Sequence, residues 1–185
     1  MNIMAPISNQ VLRKILVINC GSSSIKFQIV DPTSRLQSID GIAERIGTPK
    51  GQIKIKAKGS PKKIIDVGNI DHRDAFDKIF DIIGNVDVQA VGHRVVHGGD
   101  YFASSAIIDQ VVKDKIKKLF PLAPLHNPKN LMGIEFIEEK LPNLPQVAVF
   151  DTSFHVGSMP AKAYRYFSKP KIGFLWFKSQ IDHYL

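Results

Sequence analysis

The sequence predicts a mixed-sheet α/β domain, on three observations. The N-terminal third alternates apolar and polar side chains with the period of a strand. Near Phe76 the period becomes that of a helix. Beyond it, helical segments and short apolar strands take turns, so an antiparallel half is followed by an alternating half.

The strands Ile15–Asn19 and Ile25–Val30 flank the turn Cys20-Gly21-Ser22-Ser23-Ser24. Ile25, Phe27 and Ile29 share one face and Lys26 and Gln28 the other, so the turn joins a hairpin. Gln52–Lys58, QIKIKAK, alternates in the same way, with Ile53, Ile55 and Ala57 on one face and a turn at Gly59–Lys63. Phe76, Ile79, Phe80 and Ile83 fall at helical spacing, with Asp71 as N-cap, Asp74 in the first turn and Gly84 as the stop. Val88–Val96 is a buried strand ending at His97-Gly98-Gly99. Val112, Ile116, Leu119 and Phe120 mark a second helix. Asn127-Pro128 has the form of an N-cap followed by proline, opening a third helix with Leu131, Ile134, Ile137 and Leu141 inward. Pro142–Pro145 stops it, and Gln146–Phe150 is a short buried strand ending at Asp151.

At 185 residues, with 44% hydrophobic and 23% charged side chains, the chain has the composition of one soluble domain with a real core. Its net charge of +8 raises the question of nucleic acid. The lysines lie on alternating or helical polar faces (Lys54, Lys56 and Lys58; Lys113, Lys117 and Lys118) without interleaved stacking aromatics, so a solvated basic surface is expected and no nucleic-acid partner. One cysteine, Cys20, excludes an intrachain disulfide framework and fits a reducing, cytoplasmic compartment. The N-terminus lacks the order of a signal peptide, and no apolar run approaches the roughly 20 residues of a membrane span, so no membrane partner is expected.

Polar residues gather where strands end, which is where open α/β sheets bind ligands. The Gly/Ser turn, with Asn19 before it and Lys26 after it, suits a phosphate or Mg–phosphate group, because glycine lets backbone N–H groups approach an anion and lysine adds a point charge. The spacing is not that of a Walker loop, and an ordinary hairpin turn is the alternative. Arg94, in an apolar strand, suits a carboxylate or phosphate ligand; a structural ion pair with a core aspartate is the alternative. His93 and His97 stand about 13 Å apart on a strand, too far to share one metal ion. His126, just before a helix N-terminus, is placed to bond a phosphoryl oxygen or, alternatively, to be satisfied by backbone. Asp151 can hold a metal or orient a reacting group, while Asp-Thr-Ser also makes a cap or an Asx-turn.

The segments INCGSSSIKF, VGHRVVHGGDYF, PLAPLHNPKNLMGIEFIE and VAVFDTSFHVGSMP, in that order, resemble the acetate kinase family with its propionate and butyrate kinase relatives. LAPLHNP and FDTSFH bring the match closer to acetate and propionate kinases. The resemblance implies an actin/sugar-kinase/Hsp70-like, ribonuclease H-like domain, one of two that enclose a nucleotide cleft, with residues 1–166 as the N-terminal domain. It implies reversible Mg²⁺-dependent transfer of the ATP γ-phosphate to acetate, giving acetyl phosphate and ADP. Asn19 then belongs to the Mg²⁺ site, and Ser22, Ser24 and Lys26 line the nucleotide phosphates. Arg94 binds the carboxylate or acyl phosphate, Val96 shapes the acyl pocket, His126 lies near the transferring phosphoryl group and Asp151 is the catalytic aspartate.

The pattern breaks after Tyr166. The family continues to a GFHGTSH-like motif, whereas here Gly173-Phe174 is followed by Leu175 and Trp176. Residues 167–185 are therefore expected to be a divergent tail, and the second domain to be absent. On that expectation the isolated chain is a poor enzyme, since phosphoryl transfer depends on positioning and charge neutralisation from both sides. Propionate kinase, or a non-catalytic anion-binding domain, stands as the alternative. Homodimers occur in the family without being assured for this chain.

Overall fold

The computed structural model describes residues 14–32, 34, 36–84 and 87–155. The expected domain end at Tyr166 and the tail at 167–185 lie outside the described residues.

Among the described residues an eight-stranded mixed sheet carries three α-helices. The strands are β1 (Lys14–Cys20), β2 (Ser24–Val30), β3 (Gln37–Glu44), β4 (Gln52–Ala57), β5 (Lys63–Asp66), β6 (Val88–Val95), β7 (Ala106–Ile107) and β8 (Gln146–Phe150). The helices are α1 (His72–Ile83), α2 (Gln110–Lys118) and α3 (Asn127–Lys140), with short 3-10 turns at Phe120–Leu122 and Asp151–His155. The spatial order is β5-β4-β3-β2-β1-β6-β8-β7. From β5 to β1 every pairing is antiparallel, while β1, β6 and β8 run parallel, with β7 antiparallel on the far edge. The expected mixed sheet is therefore present, and the carboxyl ends of β1, β6 and β8 share one edge of it.

Side-chain alternation decides which face meets the helices. Leu16, Ile18 and Cys20 of β1, with Ile25, Phe27 and Ile29 of β2, join Phe76, Ile79, Phe136 and Ile137 in one core cluster. Val95, Ala148 and Phe150 pack with Val112, Ile116, Leu131 and Ile134 in a second. Phe76 stacks on Phe136 with ring centroids 4.6 Å apart, which ties α1 to α3. The intervening residues Ile15, Val17, Val30, Val147 and Val149 form a third cluster on the opposite face.

The helix signals fall where the sequence places them, with two exceptions: α2 ends at Lys118, so that Leu119 is its C-cap and Phe120 begins the following 3-10 turn, and the start of α3 is capped differently. Asp71 caps α1 in a full capping box with Asp74, and Gly84 ends the helix with φ +63°. Asn127 is not the cap of α3. That position is held by His126, and Asn127 is the first helical residue, with its amide directed at the sheet. A further correction concerns Lys113, expected on a solvated face. It is buried, and its ammonium reaches Glu138 Oε2 at 2.6 Å, because α2 lies against α3 and the lysine stem follows that contact. Lys54 and Lys117 are likewise paired, with Glu44 and Glu135.

Candidate active site

The phosphate-suited turn is fixed from behind. Asn19 and Lys26 are cross-strand partners, and the Gly21 N–H donates to Ser24 O at 2.7 Å to close the turn. Three further carbonyls of the turn are taken up by the body of the domain. Cys20 O accepts from Asn130 Nδ2 at 2.7 Å, Gly21 O accepts from His72 Nε2 at 2.9 Å, and Ser23 O accepts from the Ile46 N–H at 3.1 Å. With these acceptors bonded inward, the turn presents Ser22 and Lys26, both exposed, with Asn19 and Ser24 half-buried beside them. Burial holds the His72 imidazole below its ordinary pKa, and its Nε2–H serves as donor to Gly21 O.

Arg94 and Asp151 stand at the ends of the neighbouring strands β6 and β8, where Arg94 pairs with Val149 in register. The guanidinium engages the carboxylate along one edge, Nε to Oδ1 at 2.9 Å and Nη2 to Oδ2 at 2.6 Å. Of the two readings of Arg94, the ion pair with an aspartate is the arrangement observed, and its partner is the other charged candidate. Both side chains remain partly open to solvent, at 42% and 36%. Asp151 begins the 3-10 turn without acting as a helix cap, and its neighbours secure that turn. Thr152 Oγ1 accepts the Gly98 N–H at 2.8 Å, and Ser153 Oγ donates to Phe150 O at 2.7 Å.

Helix α3 joins the two groups of residues. Asn127 is fully buried and closes a two-way pair with the His97 backbone, at 3.1 and 2.9 Å. Asn130 accepts the Val96 N–H at 3.1 Å while donating to Cys20 O. Val96 is half-buried, and His126 is exposed at the N-cap with no side-chain cap bond. All eight sequence-derived candidates thus lie at the carboxyl edge of the parallel strands or at the start of α3. The sequence reading missed the supports, namely His72 and the two asparagines. An Asn-Pro pair gives a cap signal, and nothing in the sequence distinguishes it from an amide turned toward a strand.

Two candidates fall away as ligands. His93 is fully buried, its Nε2–H donates to Gln146 Oε1 at 2.7 Å, and burial lowers its pKa to about 4. His97 Nδ1 accepts the Gly99 N–H at 2.9 Å. Each imidazole is held by its own surroundings, His93 within β6 and His97 beyond its end at Val95. No group of three or more His, Cys, Asp and Glu side chains is placed to hold a metal among the described residues. Burial pushes the Cys20 thiol up to about 12, so it is not a nucleophile at neutral pH.

An antiparallel-then-parallel sheet with a hydroxyl-bearing turn and a charged pair along its carboxyl edge defines an α/β domain of the ribonuclease H-like class found in the actin, sugar-kinase and Hsp70 superfamily. The sequence model of the Acetokinase family matches residues 14–172, and the chain belongs to that family. It is 45% identical over 157 residues to an acetate kinase of Ectopseudomonas mendocina, covering 83% of this chain and 39% of that protein. It is 46% identical over 162 residues to an acetate kinase of Treponema denticola, covering 83% and 41%. Among solved structures it superposes on a propionate kinase of Francisella tularensis with a TM-score of 0.74 at 38% identity, covering 84% of this chain and 43% of that one. The Porphyromonas gingivalis acetate kinase gives 0.74 at 36% identity, covering 81% and 40%. The chain spans about two-fifths of the length of the curated relatives it matches.

Proposed function

We propose that this chain carries one half of the active site of an acetate kinase, a phosphotransferase that moves the ATP γ-phosphate reversibly onto acetate. The observation that carries the reading is the Arg94–Asp151 pair at the strand ends, on the same sheet edge as the Gly21–Ser24 turn. In the forward direction an acetate carboxylate oxygen attacks the γ-phosphorus in line. The new O–P bond forms as the bond to the bridging oxygen breaks, and that electron pair leaves with ADP. Arg94 attracts the acetate carboxylate, Val96 limits the acyl pocket, and His126 faces the phosphoryl oxygens. Asn19, Ser22, Ser24 and Lys26 grip the nucleotide phosphates.

Asn19 and Asp151 would hold Mg²⁺ together with the nucleotide phosphates. The donor chemistry here suits it, since Asn19 and Asp151 offer hard oxygen atoms and Mg²⁺ is commonly held by one or two carboxylates together with substrate phosphates. When bound, it neutralises charge on the phosphates. Asp151, by holding Arg94, keeps the guanidinium in place until a second carboxylate arrives to compete for it. The same reading gives a cytoplasmic protein, where ATP is the phosphoryl donor.

Two further readings have an observation each. The likeness to the Francisella propionate kinase favours a three-carbon acid as an alternative substrate. The exposed Ser22 and Lys26 of the Gly21–Ser24 turn favour an anion-binding domain without turnover of its own. Titration of the purified chain with acetyl phosphate and with Mg·ADP, followed by ³¹P NMR, tests the reading. Ligand-dependent shifts of the phosphorus lines support it. A folded chain that moves neither set of lines overturns it.

A further inference from the structure

We infer that Asn130 is a positioning residue that sets the phosphate turn against the strand end bearing Arg94 and Val96. The parallel ladder between β1 and β6 pairs residues as far as Ile18 and His93. Beyond that point Cys20 begins the turn, and Val96 leads into His97-Gly98-Gly99. The Asn130 carboxamide bridges these two departing segments. Its Nδ2 donates to Cys20 O at 2.7 Å, and its Oδ1 accepts the Val96 N–H at 3.1 Å. At 2% exposure it has no water to replace either bond, so loss of one leaves a buried polar group unpaired.

Helix geometry gives the amide its reach. Asn127 and Asn130 are three residues apart and share one face, and Asn127 already fixes the α3 start on His97. With that anchor set, the carboxamide of Asn130 spans from the turn to the pocket strand. Only a side chain with both a donor and an acceptor at this length can serve both ends. The inference rests on the phosphotransferase reading for what the two ends bind, and on the geometry alone for how they are held.

The test uses the full 185-residue chain. Asn130→Asp keeps an acceptor for the Val96 N–H and loses the donor to Cys20 O, whereas Asn130→Leu loses both. Gln146→Leu breaks a comparably buried bond, to His93, away from the turn, and serves as the stability control. Amide hydrogen exchange is expected to rise at least tenfold at Gly21 in both Asn130 variants, at Val96 in the Leu variant alone, and at neither amide in the control. A Gly21 amide that exchanges as in the wild type overturns the inference, as does equal loosening in the Gln146 variant. Loss of the cooperative fold in both Asn130 variants also overturns it, since the residue would then be required for folding itself. In parallel, inorganic phosphate and Mg·ADP are titrated. Weaker binding in the Asn130 variants than in the control supports the inference, and binding equal to the control counts against it. A wild-type chain that binds neither probe removes the functional reading, and the exchange result still decides the positioning role.

Discussion

The Arg94 guanidinium meets the Asp151 carboxylate along one edge, Nη2 to Oδ2 at 2.6 Å, from the ends of two neighbouring parallel strands. Two side chains that the sequence marks separately, one for substrate and one for catalysis, are thus a single electrostatic unit.

Arg94→Ala should remove acetyl phosphate binding while leaving the fold nearly intact. Both partners are more than a third exposed, so solvent screens the pair and its loss costs about 1 kcal/mol or less. On a domain of this size that is a shift of a few degrees in Tm. Thermal melts and a ³¹P titration check it. A large fall in Tm would make the pair structural.

His93 should make the domain acid-sensitive. Its pKa is lowered from 6.5 to about 4 in the fold, so between those values the unfolded chain binds a proton that the folded chain refuses. Stability from this residue is complete above pH 6.5 and is lost as pH falls through that window, by roughly 3 kcal/mol at pH 4. His72, shifted in the same direction by burial, adds to the loss. Denaturant unfolding of wild type and His93→Gln between pH 7 and 4 checks the sign, with the variant expected to lose less.

Gly41→Ala should destabilise the antiparallel half. Gly41 of β3 lies opposite Phe27, and a Cβ there would stand 2.2 Å from Phe27 Cζ. The ring covers the bare backbone, so the extra methyl forces Phe27 out of its place at a cost of about 1–3 kcal/mol. Chemical denaturation measures it, and an unchanged midpoint would contradict the packing.

Much of this was legible in the sequence, because periodicity and caps are local signals. QIKIKAK alternates cleanly and is β4, and Asp71 with Asp74 gave α1 its start. β3 escaped because Asp40 and Gly41 interrupt its alternation, and the glycine is explained only by a ring on the next strand. β5 and β7 are short edge segments of four and two residues, held by their neighbours more than by their own pattern. At the site, strand ends could be read as binding positions, but not which side chains meet there. The Arg94–Asp151 contact spans 57 residues and Asn130 to Cys20 spans 110, separations that no local pattern records.

Asp151→Asn should abolish turnover in a protein joining this chain's residues 14–155 to the remaining length of the Ectopseudomonas acetate kinase. The substitution keeps the size and one oxygen but removes the charge that holds Arg94 and that, on the proposed reading, meets the metal–phosphate group. A loss of at least about 10²-fold in kcat is expected, with Tm nearly unchanged. Wild-type kcat in the variant would remove Asp151 from the catalytic group.

The most direct measurement is acetyl phosphate formation from ATP and acetate, trapped as the hydroxamate, for the 185-residue chain alone and for that joined protein. The chain alone is expected to give no turnover above background, because one side of the clamp cannot position and neutralise the transferring phosphoryl group. The joined protein is expected to turn over in the ordinary enzyme range of roughly 1–10³ s⁻¹. An ordinary rate from the chain alone, or a folded joined protein with none, would contradict the assignment of these residues as one half of a phosphotransfer site.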